Sequence, residues 1–197
     1  MKTMTNNCKA DFTPVPQHVV SERLLVRPSS RDDAPYLKKW WNDPAVTGPG
    51  GHIAGMQYDD GDMEDWFQRY VDNRSCTTHF VICLRDPSEQ PIGELYVASD
   101  DRPGCVGLAL LIGEIDQWSH GYATEALNAY AGALFTSGLC EVIRIDTHRD
   151  NLRAIRMCEH VGFEVEYVWA NGQFQTMILT PDAWALSRLK QVSSQAG

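Results

Sequence analysis

The segment CVGLALLIGEIDQWSHGYATEALNAYAGALF, residues 105–135, constrains the fold more than any other part of the chain. Its first third is a continuous apolar run, and its last third spaces apolar residues as a helix does. Between them the turn QWSHGYAT holds small residues, Gly121 and Ala123, beside aromatic ones. A strand that passes into a helix through so tight a junction carries the helix's unpaired N–H groups and the positive end of its dipole to the strand's end. Two readings are open at this point. One is a bare strand-to-helix turn; the other is a cradle in which Ser119, His120, Gly121, Tyr122, Ala123 and Thr124 wrap a phosphate or diphosphate.

Around this segment the pattern gives one mixed sheet with helices on it, in the order β-α-α-β-β-β-α-β-α-β-β. RLLVR (23–27) reads as the first strand, ended by Pro28. Ser30 caps a helix through Asn42, and DMEDWFQRYVDN forms a second helix. Between those helices DPAVTGPGGHIAG reads as a long loop. HFVICLR, PIGELYVAS and CVGLALLIG are strands separated by hairpin chemistry, DPSEQ and SDDRPG. After the helix from about Gly121 to Thr136 come the strand EVIRIDTH and a helix from Asn151 with Gly162 just past its end. FEVEYVWA and QFQTMILT, turning at Asn171-Gly172, close the sheet. Residues 1–20 read as a loose leader interrupted by Pro14 and Pro16, residues 21–190 as a single domain, and 191–197 as a fraying tail.

The balance of charge narrows the partners. A formal net charge of −9 argues against a nucleic-acid binder, which presents a basic face, and suits a cationic substrate. The six cysteines (Cys8, Cys76, Cys83, Cys105, Cys140, Cys158) contain no C-x-x-C pair, and the histidines are scattered, so no metal is expected. There is no apolar signal segment before Thr13 and no run of about 18 apolar residues, so a cytoplasmic protein without a membrane span is expected. Monomer and homodimer are both open.

LLIGEIDQWSHGYATEAL resembles the acyl-CoA diphosphate loop of the GNAT superfamily of N-acetyltransferases, in the branch holding ribosomal-protein N-terminal acetyltransferases and many small-amine acetyltransferases. Against the family pattern Q/R-x-x-G-x-G/A, Trp118 takes the first place, Gly121 the fourth and Ala123 the sixth. NLRAIRMCEHVGFE resembles the family's N-x-x-A/S…G-F helix through Asn151, Ala154, Gly162 and Phe163, and KKWWNDPAVTG resembles the branch's W-x-N-D-P segment. The likeness runs from about Ser21 to Pro181.

This resemblance implies an α+β, three-layer fold whose central, strongly twisted mixed sheet opens between LALLIG and VIRIDT, with acetyl-CoA lying in the opening. Its pantetheine arm would pair with the backbone of Leu110, Leu111 and Ile112, its diphosphate would rest on 118–124, and Asn151 and Ala154 would meet it from the next helix. Arg153 or Arg156 would reach the ADP phosphates, or simply face solvent. The implied reaction is direct attack of a primary amine on the thioester. It needs a base, an oxyanion donor such as the N–H near Leu111 or Ile112, and a proton for the thiolate.

Glu94, Glu114, Asp116 and Asp146 are the carboxylates at strand ends. Asp146 stands five residues before the motif asparagine, in a context resembling the aminoglycoside 6′-N-acetyltransferases, and is either the base or a residue that bonds a loop; Glu94, the second candidate, faces the acceptor or solvent, and the other two are assigned to the turn. Where many members place a proton-donating tyrosine, seven residues after that asparagine, this chain has Cys158, which is either the acid or a core filler. Trp40, Trp41, His52, Tyr58, Trp66 and Trp169 are the aromatic candidates for an acceptor pocket built from the first two helices and the last hairpin. A small cationic amine, such as an aminoglycoside or polyamine, is the expected acceptor. Protein N-terminal acetylation and a non-catalytic acyl-CoA-binding domain stand as alternatives.

Overall fold

The structure, a computed structural model, describes residues 15–51, 53–72 and 77–195. Strands β1 (Val19–Val20) and β2 (Leu24–Pro28) lead to a 3-10 turn (Arg31–Asp33) and helix α1 (Ala34–Asn42). Ser30 and Asp33 form a reciprocal capping box at that start, and Arg27 grips Asp33 with both ends of its guanidinium at 2.8 and 2.9 Å. The loop expected after α1 contains a short helix, α2 (Pro44–Thr47), and another 3-10 turn. Asn42 ties this stretch down: its amide donates to the Tyr58 carbonyl and its oxygen accepts from the Tyr58 N–H, both at 2.7 Å. The W-x-N-D-P segment is therefore a structural clasp.

Helix α3 (Asp60–Phe67) continues as a π-helical turn over Gln68–Asp72. Then follow β3 (Thr77–Leu84), β4 (Pro91–Ser99), β5 (Cys105–Ile112), α4 (Tyr122–Thr136), β6 (Val142–His148), α5 (Leu152–Val161), β7 (Glu164–Trp169), β8 (Phe174–Leu179) and α6 (Pro181–Gln195). The eight strands form one open sheet in the order β1-β2-β3-β4-β5-β6-β8-β7, antiparallel throughout except between β5 and β6. One face packs on α4 and α5 through Phe80, Leu95, Ile143, Leu127, Tyr130 and Met177. The other packs on α1 and α3 through Leu37, Trp40, Trp66, Phe67 and Val81. This is the α+β three-layer arrangement expected.

Two departures lie at the ends. Val15 and Val19 are buried and the Tyr130 hydroxyl donates to the Pro16 carbonyl at 2.9 Å, so the end of the expected leader packs into the core. Helix α6 was absent from the expected order; it fills the end of the expected domain and runs on through residues 191–195 of the stretch read as a tail. It docks through Trp184, whose indole N–H donates to Asn128 at 2.7 Å, and Ser187, which bonds the Val161 carbonyl. Its start was written in T-P-D, an N-cap threonine followed by proline at the first helical position. Among the described residues no helix is long and apolar enough to cross a membrane.

What positions the site is the one parallel pair among the described strands. Strands β5 and β6 are paired at Cys105↔Val142, Val106↔Ile143 and Gly107↔Arg144, and then part. From Leu108 onward β5 keeps its partner β4 but has none on the other edge, while β6 runs on to His148 paired only with β8. Gly113 ends β5 where a Cβ would lie 2.1 Å from the Trp40 ring, so only glycine lets α1 seat against the strand's exit.

Candidate active site

The parted strands open on two helix heads. On the β5 side, Gly113 and Glu114 both donate to the Ile92 carbonyl, a bulge that turns the chain toward α4. Glu114 is fixed in this turn by Lys39 and by the Trp40 indole at 2.9 Å, as expected of a turn residue. Trp118 donates its indole N–H to the Ile112 carbonyl at 2.8 Å, locking the loop to the strand it leaves. Ser119 (φ 66°) and Gly121 (φ 81°) are left-handed, and α4 begins immediately after, so the N–H groups of Tyr122, Ala123 and Thr124 have no partner within the helix.

A residue not singled out in the sequence holds this loop in place. Arg23 donates to the His120 carbonyl at 3.0 Å and to Glu125 at 2.7 Å, and its guanidinium lies 4.6 Å from the Tyr122 ring centre. Ser21 and the Arg23 backbone complete the clamp on Glu125. On the other side, Asn151 caps α5 by accepting from the Ala154 N–H at 3.2 Å. Arg153 lies over the Trp118 ring at 4.4 Å, joining the two helix heads; Arg156 is exposed and touches neither.

Between the parted strands and the α1–α3 face lies a cavity of about 430 Å³. Leu110, Leu111, Asn151 and Ala154 line it, as do both expected bases, Glu94 and Asp146. A somewhat larger groove between α5 and α6 is open to solvent and remote from these groups. The register explains the cavity's wall. His79 stands opposite Tyr96, Tyr96 opposite Ala109, and Glu94 opposite Leu111, so these side chains share one face of three adjacent strands. Trp41 from α1 and Trp66 from α3 close over them, giving a run of rings: Trp41–Trp66 at 4.8 Å, Trp66–His79 at 4.6 Å and His79–Tyr96 at 5.3 Å.

The two carboxylates differ. Glu94 is buried, and among the described residues its carboxylate has one hydrogen bond, from the Trp41 indole at 2.7 Å. Burial pushes its pKa up to about 7, against a smaller opposing effect of the Trp41 donor. Asp146 is held by the Thr176 hydroxyl at 2.7 Å and by Arg144 at 3.0 Å. His79 is kept neutral, its pKa pushed down to about 4 by burial, and its Nδ1 has no partner among the described residues.

Several expected positions are corrected. Trp40 is fully buried against Gly113 and Glu114 and cannot touch a substrate; its neighbour Trp41 takes that place. Tyr58 packs edge-on behind Trp41, and Trp169 stacks on Phe174 at 4.8 Å outside the cavity. Ile112 is buried, with its carbonyl engaged by Trp118. Cys158 is fully buried in the α4–α5 core, where desolvation pushes its thiol up to about 12, so it is the core filler and not the acid. Cys158→Ala is expected to leave kcat within about twofold and to cost roughly 1–2 kcal/mol of stability from the lost packing, read by steady-state rates and denaturant melts. His52 lies outside the described residues. His79, Tyr96, Thr147, Met157 and Phe174 were not anticipated as lining residues. Among the described residues no cluster of His, Cys, Asp or Glu is arranged to hold a metal ion.

The sequence profile of the acetyltransferase (GNAT) domain matches residues 23–164. Solved structures share the fold at low identity. An acetyltransferase of the GNAT family from Bacillus anthracis superposes with a TM-score of 0.71 at 16% identity, covering 84% of this chain and 99% of that one. Aminoglycoside acetyltransferase AAC(6')-Ib, in complex with coenzyme A and kanamycin, gives 0.69 at 23%, with the same coverage. Spermidine N-acetyltransferase from Vibrio cholerae, in complex with CoA and spermine, gives 0.67 at 16%, again over 84% and 99%. No protein of curated function matches by sequence.

Proposed function

The chain belongs to the GNAT acetyltransferase family, and from that premise we propose that it transfers the acetyl group of acetyl-CoA directly to a small primary amine, with Glu94 as the base. The observation that carries the assignment is the state of Glu94: a buried carboxylate, poised near neutral pH, one strand from the free edge of β5.

The residues present fit the donor. The edge of β5 from Leu108 has no strand partner, and an extended amide chain is what such an edge accepts. The open N–H groups of Tyr122–Thr124 suit the diphosphate, with Arg23 and Arg153 as the nearby cations and Asn151 at the second helix head. The donor supplies a thioester, an acyl group already activated toward attack.

What remains for the protein is orientation and proton movement. Glu94 as carboxylate takes a proton from the incoming ammonium, and the backbone N–H of Ile112, which faces the edge of β5 away from β4, is the donor assigned to the developing oxyanion. Asp146, which shares Arg144 with Asp100 and is tied to Thr176, orders the mouth of the cavity. No side chain is assigned as the acid, because the amine's second proton suffices for the departing thiolate. Holding both substrates together removes the need for an acyl-enzyme. The test is calorimetry with acetyl-CoA followed by a thiol-release assay on an amine panel. Saturable heat and amine-dependent CoA release are expected; binding without release from any amine would leave only a cofactor-binding domain.

A further inference from the structure

The acceptor's class can be drawn from what lines its cavity, an inference that rests on the acetyltransferase reading above. Among the described residues two carboxylates reach the cavity, and neither lysine nor arginine does. Asp146 already has Arg144, which it shares with Asp100, so among the described residues Glu94 is the one cavity carboxylate without a cationic partner. A polyamine or aminoglycoside brings several ammonium groups, and each one buried without a carboxylate costs several kcal/mol. One free carboxylate matches one ammonium.

One side of the wall is aromatic. Trp41, Trp66, His79 and Tyr96 stand ring to ring, beginning at the indole that holds Glu94. Indole and phenol faces attract a cation and pack a flat apolar body. His79 carries a buried Nδ1 with no partner among the described residues, which leaves a hydrogen-bonding position open to a ligand. It lies diagonally across the β3–β4 pair from Glu94, roughly 7–8 Å away backbone to backbone. That separation suits a molecule with an amine at one end of a ring and a polar atom at the other.

We propose that the acceptor is a monocationic arylalkylamine, its ammonium on Glu94 and its ring along the wall of Trp41, Trp66, His79 and Tyr96. In the reaction the ammonium gives one proton to Glu94. The nitrogen then forms the C–N bond as the C–S bond breaks, and the nitrogen's second proton goes to the thiolate. The products are the N-acetylamine and CoA thiol, and the proton held by Glu94 passes to water.

The experiment measures kcat/KM for tyramine, spermidine, kanamycin and a short peptide with a free N-terminus, alongside acetyl-CoA binding by calorimetry. Tyramine is expected to exceed each of the others at least tenfold. In Tyr96→Leu, a change at the half-open rim of the wall, KM for tyramine is expected to rise at least fivefold while kcat and acetyl-CoA affinity stay put. Preference for spermidine, kanamycin or the peptide, or an unchanged KM in Tyr96→Leu, overturns the arylalkylamine assignment and leaves the acetyltransferase reading standing. Acetyl-CoA binding with no amine acetylated overturns that reading and this one with it.

Discussion

Glu94→Gln is expected to lower kcat by a factor of about 100 to 10,000 and, in the same protein, to raise stability at pH 8. The first effect follows from removing the proton acceptor while keeping the shape; glutamine can still accept from the Trp41 indole through its carbonyl oxygen. The second follows from linkage. Glu94 has an ordinary value of 4.5 and is pushed up to about 7 in the fold, chiefly by burial. A carboxylate so raised favours folding when protonated. Its contribution is complete below about pH 4.5 and is lost as pH climbs through 7, because the folded protein must then hold a buried charge. At pH 8 the amide spares that cost, about 1–3 kcal/mol, and at pH 5 the two proteins should be nearly equal. Thermal melts at both pH values check it. The kcat/KM profile of the parent protein should rise with a limb near pH 7 that the variant lacks. Unchanged kcat would remove Glu94 from catalysis and return the role of base to Asp146.

His79, on the same face, titrates the other way. Burial pushes its pKa down to about 4 from 6.5. Its contribution is therefore present above 6.5 and lost as pH falls toward 4, while the contribution of Glu94 returns over much the same range. The parent's stability should be shallow in acid and that of Glu94→Gln steeper, with the difference confined to the interval between the two groups.

That pairing was out of reach of the sequence, and the reason is geometric. The glycine junction and the asparagine cap are local devices: Gly121 needs a positive φ, and Asn151 caps the turn it begins, so each is written where it acts. The ring wall is not local. It depends on the register that sets His79 against Tyr96 and Glu94 against Leu111, and a slip of one residue would turn all of them to the opposite face. Helical neighbours pose the same difficulty over about 100°. Trp40 and Trp41 are equally aromatic, yet one fills the space above Gly113 and the other holds Glu94. Met157 and Cys158 are adjacent, yet the first lines the cavity and the second is sealed in the core. Asp146 had the better context in the sequence, but its pairing with Arg144 two residues earlier shows only once the strand is built.

Gly121→Glu is expected to weaken acetyl-CoA binding at least 100-fold, with Gly121→Asn as its control. Gly121 stands at φ 81°, immediately before the open N–H groups of α4, and a Cβ there meets nothing nearer than the Arg23 guanidinium at 3.6 Å. There is room for a side chain, so the harm comes from charge and conformation. A glutamate puts a carboxylate where the diphosphate is proposed to sit, satisfying the donors with the protein's own anion and competing with Glu125 for Arg23. It also bears the left-handed strain of a Cβ, about 1 kcal/mol or more, which asparagine tolerates better. Asparagine carries no charge, so its loss of affinity should stay within about tenfold, and both variants should keep the parent's circular dichroism. Calorimetry with acetyl-CoA separates the two. If both lose affinity equally, backbone strain accounts for the effect; if neither does, the head of α4 does not hold the diphosphate, and the unpaired edge of β5 must carry the donor alone.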